Sequence, residues 1–117
     1  MRMSSLKLRL AAVAAGLVLG AGVAVAADAG KGKDAFMKYG CWQCHGTVGQ
    51  GSPVSGPKLA PDPMPLEALT TFLRTSNRAM PPYREQVLPN ADVADIHAYL
   101  ASIPKPPDYK TIPILND

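Results

Sequence analysis

Apolar residues fall into one unbroken run near the N-terminus and three short periodic groups, divided by stretches rich in proline and glycine. The run, from Leu10 to Ala27, is uncharged Ala, Leu, Val and Gly. After it, Asp28 is placed to cap a helix reaching about Tyr39, with Phe36 and Tyr39 spaced for one face and Gly32 leaving a flat spot. Gly40 breaks that helix. From Gly46 to Pro65 long apolar side chains are few, the pattern of a loop wrapped around a bulky object. Pro63 and Pro65 are tolerated only in a first helical turn, so a second helix starts about there. It sets Leu66, Leu69, Phe72 and Leu73 on one side and runs to about Thr75. A loop over Ser76 to Pro89 follows. Asn90 then suits the N-cap of a last helix carrying Val93, Ile96, Leu100 and Ile103 at helical spacing, which Pro104 ends. With no alternating strand pattern and no repeats, the chain is expected to be all-α, with three to four helices.

The apolar run changes meaning once its flanks are included. Arg2, Lys7 and Arg9 precede it and Ala24-Val25-Ala26 supplies small residues at its end, the layout of an export signal cleaved near Ala26 or Ala27. The competing reading is an uncleaved membrane anchor, since the run reaches the roughly 18 residues a spanning helix needs. Its weak apolarity and the polar Asp28 beyond it favour cleavage. The expected organisation is a signal over residues 1–27, a domain over 28–103 and a Pro-rich tail over 104–117, in a periplasmic protein that touches a membrane only if the leader is retained. The formal net charge of +3 then loses its force. Three of the 12 Lys and Arg lie in the leader, leaving nine against nine Asp and Glu, so the domain gives no support for nucleic-acid binding.

About 90 residues after the leader allow only a lean core, so a staple is expected. Both cysteines fall in Cys41-Trp42-Gln43-Cys44-His45, the C-x-x-C-H pattern of haem attachment. One turn of chain sets two sulfurs to reach two vinyl groups on one haem edge, and the next residue projects an imidazole at the iron. Rival readings fit less well. A Cys41–Cys44 disulfide would close a strained loop and leave the histidine unexplained; a redox dithiol needs a βαβ setting; a zinc site would have to borrow distant His97. Haem c and its iron are therefore the expected cofactor, one per chain, held by Cys41, Cys44 and His45.

From Asp28 to Ile103 the chain resembles a bacterial class I monohaem c-type cytochrome. The resemblance rests on the haem motif near the start of the domain, Gly56-Pro57-Lys58-Leu59, Ala79-Met80-Pro81-Pro82-Tyr83, and Tyr99-Leu100 in the last helix, in that order. It implies a small cytochrome c fold whose first and last helices cross at Gly32, Phe36, Ile96 and Tyr99. It also implies that the Pro57 carbonyl accepts a hydrogen bond from His45. Candidates for the second axial ligand are Met37, Met64, Met80 and His97. Met37 lies on the attachment side, and His97 falls off the apolar stripe of its helix. Met64 stays open, while Met80 sits in a Pro-stiffened loop suited to pressing a thioether on iron. Arg74, Arg78 and Tyr83 are candidates to meet the haem propionates, or are ordinary solvated surface. Many relatives use a mid-chain tryptophan there, whereas the one tryptophan here is Trp42, inside the motif.

Filled His and Met positions describe an electron carrier rather than an enzyme, passing electrons between a donor such as a dehydrogenase and a downstream cytochrome or oxidase. Two alternatives stand beside it. One is a permanent cytochrome subunit of a periplasmic dehydrogenase, for which the apolar Ile112, Ile114 and Leu115 of the tail could form a docking arm or pack back on their own domain. The other is a haem enzyme or gas-binding protein with an open sixth site.

Overall fold

The computed structural model describes residues 25–116. Four helices are present: α1 (Ala29–Lys38), α2 (Trp42–His45), α3 (Leu66–Thr75) and α4 (Asn90–Ser102). Among the described residues there is no β-strand, only a single bridge between Ser52 and Gly56, so the fold is all-α as the periodicity predicts, and it matches the small cytochrome c fold that the resemblance implies.

The scaffold is the pairing of α1 with α4. Asp28 caps α1, its carboxylate accepting from the Lys31 N–H at 3.0 Å, and its own N–H donates to Asp95 on α4 at 2.7 Å. Gly32 lets the two backbones meet: a Cβ there would collide with the carbonyl of Asp95. One turn on, Phe36 is wholly buried, its ring centroid 5.7 Å from that of Tyr99 and tilted 58° to it, the offset that the ring quadrupoles favour. At the far end the Tyr39 hydroxyl donates to Asp92 at 2.6 Å. The resemblance placed the crossing at these residues, and it lies there.

Helix α3 buries Leu69 and Leu73 beside Leu88, Val93, Ile96 and Leu100. Its apolar side is narrower than its sequence suggests, because Leu66 and Phe72 are 39% and 44% exposed; Phe72 faces a cavity rather than the packed core. Asn90 also differs from expectation. It begins α4 rather than capping it, and Pro89 takes the cap position, because the Asn90 amide is bonded to Glu85 and Arg74 instead.

Beyond Ser102 the tail forms two short 3-10 turns, Tyr109–Thr111 and Pro113–Leu115. Asp108 caps the first, and the Asn116 amide donates to the carbonyls of Tyr109 and Ile112. Of the tail's apolar residues Ile112 is half-buried, whereas Tyr109, Ile114 and Leu115 are 61%, 81% and 60% exposed. An exposed ion pair, Lys105 to Asp62 at 3.6 Å, links it to the loop before α3. Of the expected leader, residues 1–24 lie outside the described residues. No helix among the described residues is long and apolar enough to cross a membrane.

Candidate functional site

The attachment motif forms α2, a single turn that brings Cys41, Cys44 and His45 to one wall of a cavity. His45 is buried, and its Nδ1 stands 2.8 Å from the carbonyl of Pro57. A carbonyl only accepts, so Nδ1 carries the proton and donates, and in the neutral ring Nε2 is left with a free lone pair. The loop that brings Pro57 there is tied at two points ahead of it. Ser55 donates from its hydroxyl to the Cys44 carbonyl at 2.8 Å, and the Gly51 N–H bonds the His45 carbonyl at 2.8 Å. Gly56 must lack a side chain, since a Cβ would stand 2.9 Å from the Cys44 carbonyl oxygen and 3.1 Å from His45 Nδ1.

The cavity has a volume of about 430 Å³. Its lining is predominantly aliphatic and aromatic, with Phe36, Leu69, Leu73, Leu88, Ile96 and Leu100 supplied by three helices and the loop before α4. Such a space suits a large apolar ligand with few polar contacts. Met80 and Met64 both reach it, whereas Met37 and His97 do not. Met80 packs against the core, while Met64 is 42% exposed. His97 uses its Nε2 on the Met64 carbonyl, 3.1 Å away.

The chemistry of this donor set separates the readings of the two cysteines. Burial pushes the Cys41 thiol up to about 11, the reverse of the lowered thiol pKa a redox dithiol needs. Among the described residues no group of three or more His, Cys, Asp or Glu converges to hold a metal by itself, which leaves nothing resembling a zinc site. Two thiols and an imidazole with a free Nε2, set in the wall of an apolar cavity, fit a covalently attached haem.

A family model described as cytochrome c oxidase, cbb3-type, subunit III, matches residues 27–100, more than half of the chain and all four helices except the last two residues of α4. The chain belongs to this family of c-type cytochromes. No curated protein and no solved structure gives a significant match. Membership carries haem c with its iron, and haem-based electron transfer.

In this cytochrome the far side of the cavity is formed by the loop between α3 and α4, and that loop is fastened by side chains whose parts the sequence did not reveal. Arg74 was a candidate for a propionate contact or for plain surface solvation. Half-buried, it donates from Nη1 to the Tyr83 carbonyl at 2.8 Å and from Nη2 to the Leu88 carbonyl at 2.8 Å and Asn90 Oδ1 at 2.7 Å, so its planar fork grips the loop itself. Tyr83 lines the cavity, but its hydroxyl donates to the Tyr39 carbonyl at 2.9 Å, joining the loop to the end of α1. Arg78 lies exposed on the loop surface. Two further links went unforeseen: the Tyr99 hydroxyl donates to the Thr47 carbonyl at 2.8 Å, and the Ser76 hydroxyl donates to the Met80 carbonyl at 2.7 Å. Each joins a side chain to a main-chain oxygen, so no pair of residue types marks it in the sequence.

Proposed function

We propose that the protein is a periplasmic class I monohaem cytochrome that shuttles electrons, with thioether links at Cys41 and Cys44 and the iron held between His45 Nε2 and the Met80 thioether. The observation that carries this reading is the His45 to Pro57 bond. It fixes the tautomer that leaves Nε2 free, and it holds the ring in one orientation. Met80 is favoured over Met64 as the second ligand because it packs against the core, while Met64 is the more exposed.

When bound, haem iron supplies a one-electron couple, and a thioether ligand favours its reduced form. The chain's own part is to hold that couple steady. His45 is pinned through Nδ1, the loop bearing Met80 is pinned from α3, and apolar side chains exclude water from the cavity. With His45 and Met80 both holding the group, no position would remain on it for a substrate. The name of the matched family, an oxidase subunit, supports an oxidase-linked acceptor, with a dehydrogenase as the donor class.

The second reading, a permanent subunit of a larger oxidoreductase, is favoured by the tail. Its turns are held by their own hydrogen bonds while Tyr109, Ile114 and Leu115 stay exposed, as in an arm shaped ahead of docking.

The optical spectrum of the exported holoprotein, oxidised and dithionite-reduced, with and without carbon monoxide, tests the proposal. A carrier gives a c-type reduced spectrum that carbon monoxide does not shift on mixing, its slow entry waiting on release of the thioether, and a thioether-to-iron charge-transfer band when oxidised. An immediate shift on mixing with carbon monoxide establishes an open sixth site and rejects the carrier reading.

A further inference from the structure

The loop carrying Met80 is nearly without internal support. Pro81 and Pro82 have no N–H to donate. Among the described residues, the hydrogen bonds made by residues 77–82 come down to one, from Ser76 Oγ to the Met80 carbonyl at 2.7 Å. The exit of the loop is fixed separately, by the Tyr83 N–H on the Leu73 carbonyl at 2.8 Å and by Arg74 on the Tyr83 carbonyl. Ser76 is itself held. It closes α3, its N–H bonded to the Phe72 carbonyl at 2.9 Å, and it is only 9% exposed. Its hydroxyl therefore extends a rigid helix end by one bond to the backbone of Met80.

We propose that Ser76 is a positioning residue for Met80, its hydroxyl holding the Met80 carbonyl so that the thioether stays turned into the cavity that His45 also lines. This rests on the reading of Met80 as an axial ligand. The physical basis is the asymmetry of a half-buried hydrogen bond: removing the donor leaves the Met80 carbonyl without its one protein partner, and the backbone turns to recover one. In a segment with no second tether that turn carries the Met80 side chain with it. The loop ends stay fastened, so the effect falls on the ligand and spares the fold.

The test compares parent holoprotein with Ser76→Ala, Ser76→Thr and Met80→Ala. It reads the thioether-to-iron band of the oxidised form, the rate of carbon monoxide binding to the reduced form, and the urea midpoint. Ser76→Ala is expected to hold its haem, to weaken the band and to bind carbon monoxide about tenfold faster, the effect of one lost half-buried hydrogen bond. Ser76→Thr, which keeps the hydroxyl, is expected to restore both signals. A Ser76→Ala protein that keeps the parent's band and binds carbon monoxide no faster overturns the role of Ser76, provided Met80→Ala loses the band. A Met80→Ala protein that keeps the band overturns the ligand reading, and this inference falls with it.

Discussion

His45 Nδ1 donates to the carbonyl of Pro57 at 2.8 Å, a bond between residues twelve apart in sequence that the intervening loop brings together. The close approach of Gly56 to both Cys44 and His45 makes this arrangement possible. It also sets up the first expectation. A methyl at Gly56 meets the Cys44 carbonyl at 2.9 Å, a backbone atom that cannot swing away. Gly56→Ala should push the Pro57 loop off His45, lowering both haem incorporation and stability, the latter by about 1–3 kcal/mol. Haem content per mole of exported protein and urea unfolding check it; a Gly56→Ala protein with full haem and the parent's midpoint would contradict it.

Arg74 acts as a three-point fastener for the loop between α3 and α4. Arg74→Ala leaves the carbonyls of Tyr83 and Leu88 without their donors, and is expected to cost roughly 2–4 kcal/mol in urea unfolding. Arg74→Lys should recover only part of this, because an ammonium cannot reproduce the planar fork. Equal stability of the lysine variant and the parent would show that charge, and not shape, is what the loop requires.

The Tyr39 hydroxyl is pushed up from its ordinary value, first by its hydrogen bond to the Asp92 carboxylate and next by burial, against a smaller opposing effect of Lys38. A phenol whose folded-state pKa is raised holds its proton to higher pH than in the unfolded chain. Its stabilising contribution is therefore complete below about pH 10 and is lost as pH rises through the folded-state value. Thermal unfolding followed from neutral to strongly alkaline pH should show Tyr39→Phe to be less stable than the parent at neutral pH, with the gap closing above about pH 10. A gap of constant size across that range would count against the Asp92 bond as its source.

Where sequence reading succeeded, the signal was local. Asp28 and Gly40 bracket α1, the prolines before Leu66 start α3, and Pro104 closes α4, because caps and breakers act within one turn. Where it failed, the partners were remote. Tyr39 meets Asp92 53 residues away and Tyr83 meets the Tyr39 carbonyl 44 residues away, distances over which periodicity carries no information. The hold of Arg74 on the carbonyls of Tyr83 and Leu88 was hidden for a related reason, since a main-chain acceptor leaves no mark in the residue types. Asn90 has the chemistry of a cap, but the neighbouring Arg74 and Glu85 compete for its amide. Of the site, the attachment residues and the two cavity methionines were legible, since motif and loop composition mark them. The hydroxyl of Ser76 was not, because serine at a helix end is so often only a stop.

The bond from the Asp28 N–H to Asp95 gives the chain a fixed point of departure. Ten residues of α1 separate it from Gly40, about 15 Å at the helical rise. Whatever precedes Asp28, trimmed stub or retained leader, thus leaves from the opposite end of α1 to the attachment turn. A leader kept in a bilayer would serve as a leash, letting the domain swing between a donor and an acceptor while the attachment-turn end of α1 stays uncovered.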